Sequence, residues 1–131
     1  KNYDQADIIL TGVSRSGKTP TCLFLALQYG IYAANYPLID EDLDSVKLPS
    51  VLKPFKKKLY GLSINPVRLQ NIRGERRSNS GYASIEQCQK EVRRAEDMYV
   101  QNNVPFIDTS HISIEEIAGR ILQKSKLERR Y

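Results

Sequence analysis

Apolar and polar positions along this chain fall into blocks that predict strands and helices in turn. Residues 6–11 (Ala-Asp-Ile-Ile-Leu-Thr) form a short apolar run, the pattern of a buried strand. Residues 20–29 carry Leu23, Phe24, Leu25 and Leu27 and predict a helix. Residues 31–39 predict a second strand, in which Pro37 marks an edge or an irregular end. Residues 48–54 read as a short helical turn or loop, and residues 59–64 as a third strand. Asn65-Pro66 then opens a helix, because asparagine suits the N-cap and proline the first helical position. Ser78-Asn79-Ser80-Gly81 breaks it.

Ser84 and Gln87 make a capping-box pattern. Apolar positions follow at Ile85, Cys88, Val92, Ala95, Met98 and Tyr99, a helical spacing with one buried stripe. That helix ends near Asn102-Asn103, and residues 104–108 predict another buried strand. Ser113 and Glu116 repeat the capping pattern before a last helix, with Ile114, Ile117, Ala118, Ile121 and Leu122 inward. The tail, residues 126–131, is charged and reads as frayed. Strands alternating with helices imply parallel pairing through right-handed crossovers. The expected fold is α/β: a three-layer sandwich with a mainly parallel sheet of four or five strands, in one domain over residues 1–131.

Between the first strand and the first helix stands Gly12-Val13-Ser14-Arg15-Ser16-Gly17-Lys18-Thr19. It fits the phosphate-loop pattern G-x-x-x-x-G-K-[ST] at every defined position, in the strand–loop–helix context the motif needs, so the expected α/β sandwich is P-loop kinase-like. Glycines let such a loop turn tightly, and its N–H groups point inward at phosphate oxygens. The following helix aims its positive end at the same place. Lys18 would reach the outer phosphates of a nucleotide, and the Thr19 hydroxyl would ligate Mg²⁺.

Composition narrows the class. The 131 residues suit one core, and 40% hydrophobic with 27% charged residues is a globular balance. No run approaches the length of a membrane span, and no signal peptide is visible in the polar opening Lys1-Asn2-Tyr3-Asp4-Gln5. The chain opens without Met, so a fragment of a longer protein is expected. Cys22 and Cys88 both fall in predicted helices, where free thiols in a reducing cytoplasm explain them better than a disulfide or a metal pair.

The net charge of +5 is uneven: residues 53–94 hold eleven Lys/Arg against three Glu. That segment is either a solvated basic face, a clamp on nucleotide phosphates, or a docking surface for an acidic partner. With no recognition-helix motif and no aromatic RNA-binding signature, nucleic acid is not expected as a partner.

Candidates beyond the loop carry plainer alternatives. Arg15 would reach a β-phosphate or a transferring group, or else make a surface ion pair. Asp108 ends an apolar strand, where a Walker B aspartate would sit near Mg²⁺; a strand-ending Asp is also a turn former. Asp40 and Asp42, in the acidic run Asp40-Glu41-Asp42-Leu43-Asp44 past the second strand, are its rivals for the metal, against a solvated loop. Arg73, Arg76 and Arg77 would form a mobile lid or a solvated helix face. His111, the one histidine, reads as a surface residue. Lys18, Arg15 and Asp108 are the expected catalytic side chains.

Three segments together carry a resemblance. Gly12 through Thr19 with Pro20-Thr21, then Ala33-Ala34-Asn35-Tyr36-Pro37, then Ser113-Ile114-Glu115-Glu116-Ile117-Ala118 closely resemble the phosphoenolpyruvate synthase regulatory proteins. These are grouped with the pyruvate, phosphate dikinase regulatory proteins. Leu59-Tyr60-Gly61-Leu62 and Glu75-Arg76-Arg77 resemble the bacterial branch. The resemblance covers essentially the whole chain and corresponds to the C-terminal, phosphate-loop half of such proteins. It implies a bifunctional enzyme. One activity phosphorylates a threonine of the synthase with ADP as donor; the other removes that group with inorganic phosphate and releases pyrophosphate. It also implies that Gly12, Val13, Ser14, Arg15, Ser16, Gly17, Lys18 and Thr19 bind ADP. Two other classes fit the residues: a small-molecule P-loop kinase, and a nucleotide-gated module whose basic segment docks a partner. Association into a homo-oligomer is compatible with all three.

Overall fold

The computed structural model of the chain describes residues 3–76 and 81–127. Its centre is a four-stranded sheet built from β1 (Ile8–Gly12), β2 (Ala33–Pro37), β3 (Leu59–Ser63) and β4 (Phe106–Asp108). The order is β2-β1-β3-β4, and every neighbouring pair is parallel. Pro37 lies at the end of an edge strand, where its missing N–H breaks no ladder between central strands.

The helices are α1 (Lys18–Tyr29), α2 (Asp40–Leu43), α3 (Pro66–Arg76), α4 (Ile85–Gln101) and α5 (Ile114–Ser125). They cover both faces of the sheet, so β1 and β3 are buried at every position. Alternate strand residues serve opposite layers. Ile9, Ala34 and Leu59 pack toward Leu69 of α3 and Cys88, Val92, Ala95 and Met98 of α4. Ile8, Leu10, Tyr60, Leu62 and Ile107 pack toward Leu25 of α1 and Ile117, Ala118 and Ile121 of α5. Two-sided burial is why these strands read as continuous apolar runs. The expected three-layer α/β sandwich is the observed one.

Local signals set the ends. Ser84 Oγ accepts from Gln87 N, and Ser113 Oγ accepts from Glu116 N, both at 3.1 Å. Asn65 Oδ1 accepts from Val67 N at 2.9 Å, which caps α3 ahead of Pro66. Gly30, at φ 66°, closes α1 with its N–H on Ala26 O.

Several elements differ from expectation. The strand expected over 31–39 is shorter because Ile31 N is held by Leu25 O at the end of α1. The strand expected over 104–108 begins at Phe106, since Val104 N bonds back to Tyr99 O and Pro105 has no N–H. The acidic run is a short helix, not a loop, capped by Asp42 Oδ2 on Ile39 N at 3.1 Å. Residues 50–58 form 3-10 turns kinked at Phe55. Leu127, expected in a frayed tail, packs against the α1–α5 layer. The predicted break at 78–81 falls mostly outside the described residues.

Two glycines permit close approaches behind the loop. A Cβ on Gly61 would stand 2.6–2.8 Å from ring atoms of Tyr99. The buried Tyr99 hydroxyl sits 2.9 Å from Leu62 O and 3.2 Å from Thr11 O, joining α4 to β3 and β1 below the loop. A Cβ on Gly12 would meet Ser16 Oγ at 2.6 Å and Leu62 O at 3.0 Å.

Candidate functional site

The loop leaves the carboxyl end of β1, where ligands bind in open α/β sheets. Two residues take left-handed backbone conformations, Arg15 (φ 71°) and Gly17 (φ 105°). They turn the chain so that it wraps around the Val13 carbonyl. Ser16 N (3.2 Å), Ser16 Oγ (2.8 Å) and Lys18 Nζ (2.7 Å) all donate to that oxygen. Gly17 is the N-cap of α1 and supplies no side-chain cap. The first-turn amides of α1 therefore offer their hydrogens to an anion.

Lys18 is 5% exposed. Burial lowers its pKa to about 8; Arg73 and Arg15 push the same way and Cys22 opposes them. A phosphate oxygen in front of this amine would restore its charge.

Outside partners hold the loop. Thr109 Oγ1 donates to Ser16 O at 3.1 Å. Asn35 Nδ2, on β2, donates to Thr19 Oγ1 at 3.1 Å. That contact leaves the exposed Thr19 oxygen its remaining acceptor capacity for a cation. The Tyr82 and Ser14 hydroxyls are 2.6 Å apart. A cavity of about 780 Å³ opens here, lined by Ser14, Arg15, Lys18, Thr19, Asn35 and Tyr82 among others. Its donor set fits polyphosphate. Among the described residues no group of three His, Cys, Asp or Glu could hold a metal ion. Thr19 Oγ1 is an oxygen in this lining able to hold a hard cation beside phosphate oxygens and water.

The other candidates separate. Arg15 is exposed at the mouth of the cavity. Asp108 does not line it: its Oδ1 accepts from Ser110 N at 2.8 Å and from Ser110 Oγ at 2.5 Å. Ser110 Oγ in turn accepts from Asn65 N at 2.7 Å, so Asp108 shapes the turn that leads to α3 and α5. Asp42 serves its own helix and the Tyr36 hydroxyl. Asp40 lines a separate cavity of about 230 Å³ with Leu43, Gln87 and Arg94. His111 is exposed. Lys58 is no free member of a basic patch; its ammonium donates to the carbonyls of Tyr3, Asp4 and Ala6 at 2.8–3.0 Å. Cys22 and Cys88 are free thiols, and burial raises the pKa of each, Cys22 to about 11.

Arg73 corrects the expectation most sharply. It is neither a lid nor a solvated face, being 0% exposed. Its guanidinium pairs with both Glu91 oxygens at 2.8 and 3.2 Å. It also donates to Tyr82 O at 3.0 Å and Ser14 O at 3.1 Å and stacks 4.2 Å from the Tyr82 ring centroid. Gln87 Nε2 donates to the same carboxylate at 2.7 Å. A buried ion pair on α3 and α4 thus grips the phosphate loop from behind. The Arg76 side chain and Arg77 lie outside the described residues. The signal for this support was a charge on each buried stripe: Arg73 one turn after Leu69, and Glu91 one turn after Cys88.

Residues 1–122 match the family model described as kinase/pyrophosphorylase. The chain belongs to that family. Relatives from Neisseria gonorrhoeae (60% identical over 131 residues) and Laribacter hongkongensis (59%) align with all of this chain. One from Pseudoalteromonas translucida is 58% identical over 99% of it. All three are provisionally named phosphoenolpyruvate synthase regulatory proteins. The chain spans about half the length of these relatives, 48% in each case. Among the described residues no helix is long and apolar enough to cross a membrane.

Proposed function

We propose that this chain binds ADP with Mg²⁺ through residues 12–19 and serves as the nucleotide-binding part of a phosphotransferase that acts reversibly on phosphoenolpyruvate synthase. The observation that carries this is the convergence of Lys18, Thr19 and the uncapped start of α1 on one cavity, in a chain of the kinase/pyrophosphorylase family. In the forward reaction the β-phosphoryl group of ADP passes to a threonine hydroxyl of the synthase, leaving AMP. In the second, inorganic phosphate takes that group and leaves as pyrophosphate. Both reactions handle an anhydride of two phosphates, which is what a loop of this size cradles.

Each residue has a positional task. Lys18 turns from the Val13 carbonyl to the terminal phosphate, and the α1 amides hold the bridging region. Thr19 Oγ1, oriented by Asn35, would hold Mg²⁺, which would supply positive charge to offset that of the phosphates. Arg15 extends over the cavity mouth toward the group in transfer. Arg73, through Ser14, keeps the loop backbone in register. Positioning and charge neutralisation are the main contributions a protein makes to phosphoryl transfer.

Calorimetric titration with ADP, ATP and pyrophosphate, each with Mg²⁺, tests the site. Binding of ADP and pyrophosphate, lost in Lys18→Ala, is the expected result. Retained affinity in that variant would refute the assignment of the loop. Transfer is then assayed with a full-length form and the synthase, following phosphothreonine from ADP and pyrophosphate release from phosphate.

A further inference from the structure

A second cavity lies against the other flank of the same loop. Its volume is about 240 Å³. It shares Arg15, Gly17, Pro20 and Ile72 with the phosphate cavity, but its chemistry is different. Ile64, Ile112, Ile114 and Ile117 join Ile72 in its wall. Ile64 and Ile117 are buried, while Ile72, Ile112 and Ile114 are half-buried and present apolar surface. Two exposed guanidinium groups, Arg15 and Arg68, belong to the lining. Thr109, also there, has its hydroxyl committed to Ser16 O and Ser63 O.

We infer that this isoleucine-lined cavity seats the heteroaromatic base of the nucleoside diphosphate whose phosphates occupy the opposite flank of the loop. The inference rests on the nucleotide reading above and says where the uncharged end goes. A nucleotide is chemically two-sided, with a multiply charged tail and a planar, largely apolar base. The two flanks are two-sided in the same sense. Lys18, Thr19 and Asn35 face one cavity only, and four of the five isoleucines face the other only. The size agrees. Pockets for whole drug-sized ligands run to roughly 300–1,000 Å³, so the smaller cavity takes one end of a nucleotide and not the whole. The shared Pro20 and Gly17 put the two cavities on either side of the first turn of α1, a span that a ribose and its phosphate bridge. Arg68, which lines this cavity only, flanks the apolar walls with a planar cation that stacks on a base.

The test compares a ligand that has a base with one that has none. ADP and pyrophosphate, each with Mg²⁺, are titrated into the whole chain and into Ile112→Asn, which places an unpaired amide in the apolar wall without adding charge. The expected result is a loss of about tenfold in ADP affinity, with pyrophosphate affinity unchanged. Equal losses for both ligands, or no loss for either, would overturn the assignment. A second measurement needs no variant: etheno-ADP bound to the wild-type chain should be shielded from acrylamide quenching, and full accessibility of its base overturns the inference. With both ligands bound by the wild-type chain, an Ile112→Asn variant that fails to separate them overturns this assignment alone; wild-type protein that binds pyrophosphate but not ADP overturns the ADP reading as well. Binding of neither overturns the nucleotide reading and this inference with it.

Discussion

Raising the pH through the titration of Lys18 should weaken ADP binding in a way that no other group at the loop imitates. Lys18 is 5% exposed, and the pKa of its amine falls from the ordinary 10.5 to about 8. That lowering amounts to roughly 3 kcal/mol in favour of the neutral amine. Its sign for folding is definite: between these two values the unfolded chain holds more protons than the folded one. Stability from this group therefore rises with pH across the window and is lowest below pH 8, where the buried ammonium carries its full desolvation cost. Binding runs the other way, because a phosphate in front of Lys18 favours the charged amine. Above pH 8 the complex must take a proton from solvent. The expected uptake is about half a proton per ADP at pH 8, and affinity should be about tenfold lower at pH 9 than at pH 7. Calorimetry in buffers of different ionisation enthalpy measures both quantities. Lys18→Arg, permanently charged, should bind without proton uptake across the same range. Constant affinity from about pH 7 to 9, with heats independent of buffer, would refute the account of Lys18.

Removing one partner of the buried pair, by Arg73→Met or Glu91→Gln, should destabilise the fold by about 3–5 kcal/mol, seen as a lowered denaturation midpoint. The double replacement should lose less than the sum of the two, the mark of direct coupling in a double-mutant cycle. Gly61→Ala drives a methyl into the Tyr99 ring and should cost about 1–3 kcal/mol in urea unfolding. The loss should shrink in a Tyr99→Leu background. Ser113→Ala removes the oxygen that caps α5 at Glu116 N and should cost about 0.5–2 kcal/mol in the same assay, with nucleotide affinity unchanged.

Much of the fold was legible because its signals are local. Ser84, Ser113 and Asn65 announce helix starts through hydrogen bonds to residues two or three positions on, so the sequence within each turn suffices. Residues 6–11 and 59–64 read as strands because burial on both faces leaves no polar alternation to confuse them. Strand limits were less legible. They depend on which neighbour claims an N–H, as Leu25 O does for Ile31 and Tyr99 O for Val104. The acidic run misled because Asp42 caps its own short helix, a choice between loop and turn that the residues alone leave open.

The phosphate loop was legible for a related reason: a contiguous motif carries its own geometry, from the left-handed Gly17 to the Lys18 ammonium. What supports it was not. Arg73 and Glu91 sit eighteen positions apart, on different helices, and each looks like an ordinary surface charge beside arginines and glutamates that are one. Only the packing of α3 against α4 shows that both stripes turn inward at the same level. Once there, neither charge is tolerable alone, because an unpaired buried ion costs several kcal/mol. The pair persists because the guanidinium has further hydrogens to donate, and two of its partners are the backbone of Tyr82 and of Ser14. The desolvation that makes the pair expensive also makes it rigid. The Ser14 carbonyl is thereby fixed to the helical layer rather than left to a mobile loop. A phosphate loop needs its amides aimed before the anion arrives, since electrostatic stabilisation is greatest when no reorganisation follows binding. The buried arginine, which in the sequence resembled a lid, meets that need from the protein side of the loop.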